Sequence, residues 1–193
     1  GDTPLVRPAT IAALIGRLGA GADIALLGFA TDAPTGYGRL IVEDGRLVAI
    51  VEERDADEAT RAIRLCNSGI MAFRPGLLPE LLDAIGNANA KGEYYLTDAI
   101  AIGTARGLRA EAVIGDDEAE FVGVNDRAQL AEAGRLLNAR TVRRWQLAGA
   151  TIQDPATTWI DVTATLAPDV TVLPNTHILR ASAVAAGATI GPD

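Results

Sequence analysis

An aliphatic residue recurs at every sixth position towards the end of the chain. These positions follow one another without a miss: Ile160, Leu166, Val172, Ile178, Val184 and Ile190. Four residues after each of the first five comes a small or β-branched residue: Ala164, Val170, Thr176, Ser182 and Ala188. A period of six fits a three-sided coil in which every sixth side chain points into the core, whereas sandwich strands alternate with period two. The spacing therefore predicts the start of a left-handed parallel β-helix of hexapeptide repeats.

The residues before the repeat alternate between strand-like and helix-like patterns. Short apolar runs predict strands at 24–29, 40–42, 47–51, 69–73 and 110–114. Helical patterns cover 10–18, a leucine-rich stretch ending near Gly86-Asn87, and 95–105. Asp44-Gly45 predicts a tight hairpin turn, and the charged segment 52–64 predicts a solvated loop with a short helix. This alternation predicts an α/β fold with a mixed sheet covered by helices.

A long helix is predicted between the two patterns. Asp126 and Gln129 form a capping-box pair, in which the aspartate caps early amides and the glutamine reaches back. The helix continues to Leu147, and Gly149 permits a left-handed cap. The predicted organisation is one domain over 1–127, a connecting helix over 128–148 and the β-helix from 149 to 193.

Composition excludes several classes of function. A formal net charge of −8 disfavours a nucleic-acid surface, because phosphate neutralisation needs clustered Lys and Arg. No apolar run approaches the roughly 18 residues of a membrane span. The single cysteine, Cys66, excludes an internal disulfide and fits a reducing, cytoplasmic location. His177, the only histidine, is expected at the surface because it occupies an outward position of the repeat.

Both ends suggest a piece of a longer protein. The chain starts at Gly1 without methionine and stops at Asp193 in the middle of the six-residue pattern. A repeat array usually needs about three units and a cap, and fewer than two full coils are present. The open end of the repeat would expose apolar side chains and unpaired backbone, which again suggests truncation.

A series of short motifs occurs upstream of the repeat in one order: Gly1-Asp2-Thr3-Pro4-Leu5, Pro34-Thr35-Gly36-Tyr37-Gly38-Arg39, Ile50-Val51-Glu52-Glu53, Asn67-Ser68-Gly69, Gly92-Glu93-Tyr94-Tyr95-Leu96-Thr97-Asp98 and Gly123-Val124-Asn125-Asp126-Arg127. Leu147-Ala148-Gly149, Asp154-Pro155-Ala156 and the hexapeptides follow. The whole series resembles the bifunctional bacterial family of UDP-N-acetylglucosamine pyrophosphorylase/glucosamine-1-phosphate N-acetyltransferase.

The resemblance implies a two-activity enzyme of UDP-N-acetylglucosamine synthesis, which supplies precursors of the cell wall and lipopolysaccharide. Residues 1–127 would be the C-terminal part of a Rossmann-like nucleotidyltransferase domain that joins UTP to N-acetylglucosamine-1-phosphate and releases pyrophosphate. The β-helix would open an acetyltransferase domain that uses acetyl-CoA and glucosamine-1-phosphate. The family also implies a homotrimer, with no nucleic-acid or membrane partner.

The resemblance implies a set of site residues. Asp2 and Asn125 would hold Mg²⁺, and Gly1 and Asp2 would lie at the bound substrate. Gly38, Glu52 and Asn67 match positions that contact the N-acetylglucosamine moiety, and Tyr95 and Thr97 are expected to line the same pocket. No catalytic side chain is assigned, because such phosphoryl chemistry depends mainly on positioning and charge.

The chain departs from the family pattern in places. Asn125-Asp126 stands where two asparagines are common, and Ser68 replaces a more usual threonine. The family's glycine-rich nucleotide-binding signature and its acetyltransferase residues would lie outside these 193 residues. The resemblance therefore implies little or no activity of these residues alone, because half of the nucleotide site would be missing. Two alternatives stay open: a nucleotidyltransferase with a β-helix tail acting on another sugar phosphate or nucleotide, and a non-catalytic trimerising module.

Overall fold

The computed structural model describes residues 2–192, which form two compact units. The first unit comprises residues 3–122, and the second comprises Asp2 together with the residues from Gly123 onwards. The predicted boundaries at 127/128 and 148/149 stay a prediction.

The first unit is built on a five-stranded mixed sheet with the order β3-β2-β4-β1-β5. Strands β1 and β5 are parallel, and the other neighbouring pairs are antiparallel, so the predicted mixed α/β sheet is confirmed. The elements of this unit are α1 (Pro8–Gly19), β1 (Ile24–Ala30), β2 (Arg39–Glu43), β3 (Arg46–Val51), α2 (Glu58–Arg61), β4 (Leu65–Phe73), α3 (Leu77–Leu82), α4 (Asp98–Ala105), β5 (Ala110–Gly115) and a 3₁₀ turn (Glu118–Phe121).

The central strand β1 is buried on both faces, which explains its continuous apolar sequence. Ile24 and Leu26 pack on one side in a cluster with Leu81 of α3 and Ile100 of α4. The alternate residues, Ala25, Leu27 and Phe29, pack on the other side in a cluster with Leu14 of α1 and Phe121. Full burial of one such large aliphatic or aromatic side chain contributes roughly 1.5–3 kcal/mol, so helices on both faces are needed to stabilise the sheet.

Three predicted elements have one end that lies three or more residues from its predicted position. Strand β4 starts at Leu65, four residues earlier than expected, because it continues through Gly69, whose φ of 80° a glycine adopts without strain. Helix α3 ends at Leu82 and not near Gly86, since the next amides bond three residues back, as Ala84 does to Leu81. Helix α4 starts at Asp98 and not at Tyr95, after turns of the same type.

The second unit consists of a long helix followed by seven two-residue strands. Its elements are α5 (Arg127–Leu147), β6 (Thr151–Ile152), β7 (Trp159–Ile160), β8 (Thr165–Leu166), β9 (Thr171–Val172), β10 (His177–Ile178), β11 (Ala183–Val184) and β12 (Thr189–Ile190). Strands β10, β11 and β12 each pair in parallel with the strand 18 residues earlier, in three separate sheets: Trp159 with His177, Thr165 with Ala183 and Thr171 with Thr189. Strand β9 pairs in parallel with β6, where Thr151 is the partner of Thr171. One turn of the coil therefore takes three hexapeptides.

The six-residue positions form the core of the coil. Ile160, Leu166, Val172 and Ile178 are buried in one cluster, which also contains Val142 of α5. The buried amide of Asn138 on α5 donates from Nδ2 to the Thr158 carbonyl at 2.8 Å and accepts from the Ile160 amide at 3.0 Å. A buried polar group is costly unless it is paired. These two hydrogen bonds of Asn138 therefore fix the helix against the first coil. His177 is exposed, as its outward position predicts.

The N-terminus of α5 carries the predicted cap. The Gln129 amide donates to Asp126 Oδ1 at 2.7 Å, and Gln129 Oε1 accepts from the Asn125 amide at 2.6 Å. The Gln129 side chain thus bonds to the residue before the capping aspartate and not to the aspartate itself. The exchange satisfies two amides at and before the helix end, which would otherwise depend on water.

We expect Asp126→Ala to lower the free energy of unfolding of the second unit by about 1 kcal/mol, because one helix amide loses its acceptor. Urea unfolding followed by circular dichroism would measure the change. Asp126→Asn is the matched control, since asparagine is an equally good cap, and it should stay close to wild type. Equal stability of the alanine variant and wild type would contradict the role of this cap.

No helix within residues 2–192 is both long enough and apolar enough to cross a membrane.

Candidate functional site

Three of the predicted site residues come together at one end of the first unit's sheet. Arg39, the first residue of β2, pairs with Val51 on β3 and with Cys66 on β4. Both pairings are antiparallel, so the next position outward places Gly38 between Glu52 and Asn67. The Asn67 amide donates to the Gly38 carbonyl at 2.8 Å. Residues far apart in sequence thus form one row at the strand ends.

Gly38 is the point of closest approach within this row. A Cβ atom at this position would lie 3.0 Å from Ile50 Cγ2 and 3.5 Å from each carboxylate oxygen of Glu52. A side chain here would therefore occupy the space in front of the Glu52 carboxylate. The absence of a side chain leaves that carboxylate accessible to a ligand.

Thr97 and Tyr95, also expected in the pocket, join the site. The buried Thr97 hydroxyl donates to Glu52 Oε1 at 3.0 Å, which orients the carboxylate. Tyr95 and Glu52 line one cavity of about 280 Å³, with Gly36, Glu53, Arg54 and Lys91 completing its wall. Asn67 Oδ1 accepts from the Gly69 main-chain amide at 2.8 Å, which fixes the Asn67 side chain within β4.

The surroundings of this group shift the ionisation of three neighbours. Burial, and then the charge of Asp55, raise the pKa of Asp98 above its usual value. Desolvation and nearby carboxylates, including Glu52, likewise raise the pKa of Tyr95. The hydrogen bond from Arg39 lowers the pKa of Glu53. The cavity wall carries the carboxylates of Glu52 and Glu53 beside the side chains of Arg54 and Lys91. The carboxylate oxygens are acceptors that suit the hydroxyl and amide hydrogens of a sugar.

Asp2 and Asn125 come together separately, in the second unit. The Val124 amide donates to the Asp2 main-chain oxygen at 2.7 Å, and Gly123 lies beside both Asp2 and the Asn125 side-chain amide. Both side chains are exposed. Within residues 2–192, the Asp2 carboxylate and the side-chain amide of Asn125 make no hydrogen bond or ion pair, so their oxygens can accept a ligand. Gly1, the remaining predicted site residue, lies outside the described residues.

This pair fits a magnesium ion by the chemistry of its donors. One carboxylate and one amide oxygen are hard ligands, and Mg²⁺ is commonly held by one or two protein groups with phosphates and water completing the octahedron. No group of three or more His, Cys, Asp or Glu side chains that could hold a metal occurs in the described part of the chain.

Two residues of the site escaped the sequence analysis. Arg39 and Glu53 belong to the quoted motifs but received no role, and the structure joins them in an ion pair next to Gly38 and Glu52 in the chain. One signal was available: Arg39 opens the otherwise apolar run Leu40-Ile41-Val42. A charge at a strand position that must be buried requires a partner.

Curated relatives match the chain along its whole length. It is 47% identical to the bifunctional protein GlmU of Kineococcus radiotolerans over 194 aligned positions and 51% identical to that of Clavibacter sepedonicus over 195, each match covering 100% of this chain. The chain belongs to the GlmU family. It spans about 40% of the length of these two GlmU proteins. The GlmU of Xanthobacter autotrophicus is 48% identical over 96% of this chain. No family model matches the sequence.

Solved structures show weaker likeness than the GlmU sequences. A Bacillus anthracis structure described as a glucose-1-phosphate thymidylyltransferase has a TM-score of 0.47 and 15% identity, covering 65% of this chain and 47% of its own. A CMP:2-keto-3-deoxy-manno-octonic acid synthetase complexed with CTP has a TM-score of 0.45 and 19% identity, covering 70% and 58%. With both scores below 0.5, family membership depends on sequence identity alone.

Proposed function

We propose that the protein carrying this chain is a Mg²⁺-dependent uridylyltransferase that joins UTP to N-acetylglucosamine-1-phosphate and releases pyrophosphate. The observation that carries the proposal is the row of Gly38, Glu52 and Asn67, which presents a carboxylate and an amide beside a residue without a side chain. Membership in a family whose curated proteins are named bifunctional GlmU supports the assignment.

In the proposed complex, the first unit binds the sugar. The Glu52 carboxylate accepts from a sugar hydroxyl or from the acetamido N–H, while the Thr97 hydroxyl keeps it oriented. Asn67 can donate and accept, and Gly38 lets the ligand approach the backbone closely. These residues hold the sugar phosphate in place for in-line attack on the α-phosphorus of UTP, and such orientation supplies much of the rate enhancement in phosphoryl transfer.

Asp2 and Asn125 are the proposed magnesium ligands. When bound, the ion neutralises charge that develops on the phosphates. The Asp2 main-chain oxygen is already held by the Val124 amide, so the carboxylate projects from a fixed backbone position. Gly1 is proposed to contact substrate beside it.

The remaining assignments extend the same proposal to the whole protein. The 18-residue coil is proposed to open a left-handed parallel β-helix, and the domain boundaries are proposed at 1–127, 128–148 and 149–193. We also propose acetyl transfer from acetyl-CoA to glucosamine-1-phosphate, a homotrimer and a cytoplasmic location. Low activity of these 193 residues alone stays a prediction.

Pyrophosphate release tests the proposed reaction. The full-length protein with Mg²⁺, UTP and N-acetylglucosamine-1-phosphate should release pyrophosphate and form the UDP-sugar. Competition with other sugar-1-phosphates and nucleoside triphosphates should leave this pair preferred. Preference for a different pair would favour the related-nucleotidyltransferase alternative. No release with any pair would favour the non-catalytic module.

Glu52→Gln tests the sugar site. We expect the KM for N-acetylglucosamine-1-phosphate to rise by about tenfold or more, since a charged acceptor is replaced by a weaker neutral one. The KM for UTP should stay within about twofold of wild type. Glu43→Gln is the matched control, because Glu43 is exposed at the far end of the same hairpin. An unchanged sugar KM in Glu52→Gln would remove Glu52 from the site.

A further inference from the structure

Arg39 is the one arginine among the largest fully buried side chains, with 1% of its surface exposed. Its Nη2 donates to Glu53 Oε2 at 2.6 Å and to the Arg61 carbonyl at 3.2 Å, and its Nε donates to that same carbonyl at 3.3 Å. Its Nη1 donates to the Tyr37 carbonyl. All three guanidinium nitrogens are therefore bonded, which makes burial of the charge possible.

These contacts close a ring of hydrogen bonds among Arg39, Glu53 and Arg61. Arg61 Nε donates to the Glu53 carbonyl at 3.2 Å, while the Arg61 carbonyl accepts from Arg39. Glu53 is therefore held through both its side chain and its main chain. Since Glu52 precedes Glu53 directly, this ring fixes the backbone that carries the Glu52 carboxylate.

The main chain of Arg39 also holds the backbone next to Glu52. Its pairings with Val51 and Cys66 form the last row of the sheet before Gly38, Glu52 and Asn67. One residue thus sets the strand register through its backbone and anchors the loops after β3 and before β2 through its side chain. Arg39 itself does not line the cavity of Glu52, whereas its ion-pair partner Glu53 does.

We propose that Arg39 is a positioning residue for the sugar site. Its guanidinium keeps the Glu52 carboxylate in register with Gly38 and Asn67, so that the acceptors are in place before the sugar phosphate binds. The inference rests on the proposed function of this site. A stabilising role alone accounts poorly for a buried ion pair, because apolar residues of similar volume often stabilise a core equally well. Placement of acceptors demands a fixed geometry, which the planar guanidinium provides.

The test compares Arg39→Met and Arg39→Lys in the full-length protein. Methionine fills much of the same space without donors, and lysine keeps the charge but loses the planar fork. We expect the sugar-phosphate KM to rise about tenfold or more in Arg39→Met and by less in Arg39→Lys, with the UTP KM within about twofold, because small misplacements of a binding group can cost up to about 100-fold. A merely structural role would lower the fraction of active enzyme and leave both KM values unchanged.

Two controls keep the inference falsifiable. Arg46→Met removes an exposed arginine at the opposite end of the hairpin, where no described residue pairs with its side chain, and both KM values should stay at wild type. If Arg39→Met does not fold, Glu53→Gln tests the positioning role instead, because glutamine retains the acceptor oxygen and removes only the charge. The KM of Glu53→Gln for the sugar phosphate should rise about threefold or more.

The outcomes separate the two proposals. A wild-type protein that releases pyrophosphate, with sugar KM values unchanged in every folded variant, would overturn the positioning role alone. An equal rise in the KM for UTP and for the sugar phosphate would also overturn it. A wild-type protein that neither releases pyrophosphate nor binds N-acetylglucosamine-1-phosphate in calorimetry would overturn the proposed function, and the inference with it.

Discussion

Replacing Asp2 by alanine is expected to reduce kcat for pyrophosphate release by about 100-fold or more, since one charged ligand of the proposed Mg²⁺ site is lost. The fold should survive, because the Val124 amide bonds to the main-chain oxygen of Asp2, which alanine retains. The Mg²⁺ concentration for half-maximal rate should rise as well. Initial rates over a titration of MgCl₂ would measure both effects.

The matched control for this substitution is Asp83→Ala, which removes an exposed carboxylate that no described side chain contacts. Its rate and its Mg²⁺ dependence should stay within about twofold of wild type, because an isolated surface charge contributes little. Asn125→Ala should fall between the two, since a neutral amide holds a cation less strongly than a carboxylate. An Asp2→Ala protein with wild-type rate and wild-type Mg²⁺ dependence would rule out the metal assignment.

The second large effect concerns stability. Leu166→Asp is expected to lower the free energy of unfolding of the second unit by about 4 kcal/mol or more, because the aliphatic contact is lost and an unpaired carboxylate enters the core of the coil. Leu166 is 6% exposed and packs in one cluster with Ile160, Val172 and Ile178. Denaturant unfolding of the full chain would measure the loss.

Thr165→Asp is the control, since its side chain lies outside the coil on the same two-residue strand. Its stability should fall by no more than about 1 kcal/mol, the span of strand propensities. The cost of Leu166→Asp should also shrink at low pH: burial raises the pKa of the introduced carboxyl, so the neutral form is favoured in the folded state as the pH falls through that pKa. Equal losses in the two variants would contradict the inward orientation of the six-residue positions.

Local patterns predicted most of the elements because their causes are local. The hairpin needs Asp44-Gly45 at positive φ, and both residues adopt it. Asp126 and Gln129 cap α5 as predicted, since their partners lie within four residues. The predicted end of α3 and the predicted start of α4 were wrong by a few residues. Tighter turns replace α-helical hydrogen bonds in these segments, and the composition of the segments does not indicate this.

The six-residue period of aliphatic residues determined a three-sided coil, because the period of inward side chains sets the geometry of each face. The order of motifs determined the family. Only the tertiary structure placed Gly38, Glu52 and Asn67 in one row, because that row depends on pairings between strands far apart in sequence. The local pattern of an arginine before an apolar run indicates a buried charge, but only the tertiary structure shows its partners, Glu53 and the Arg61 carbonyl.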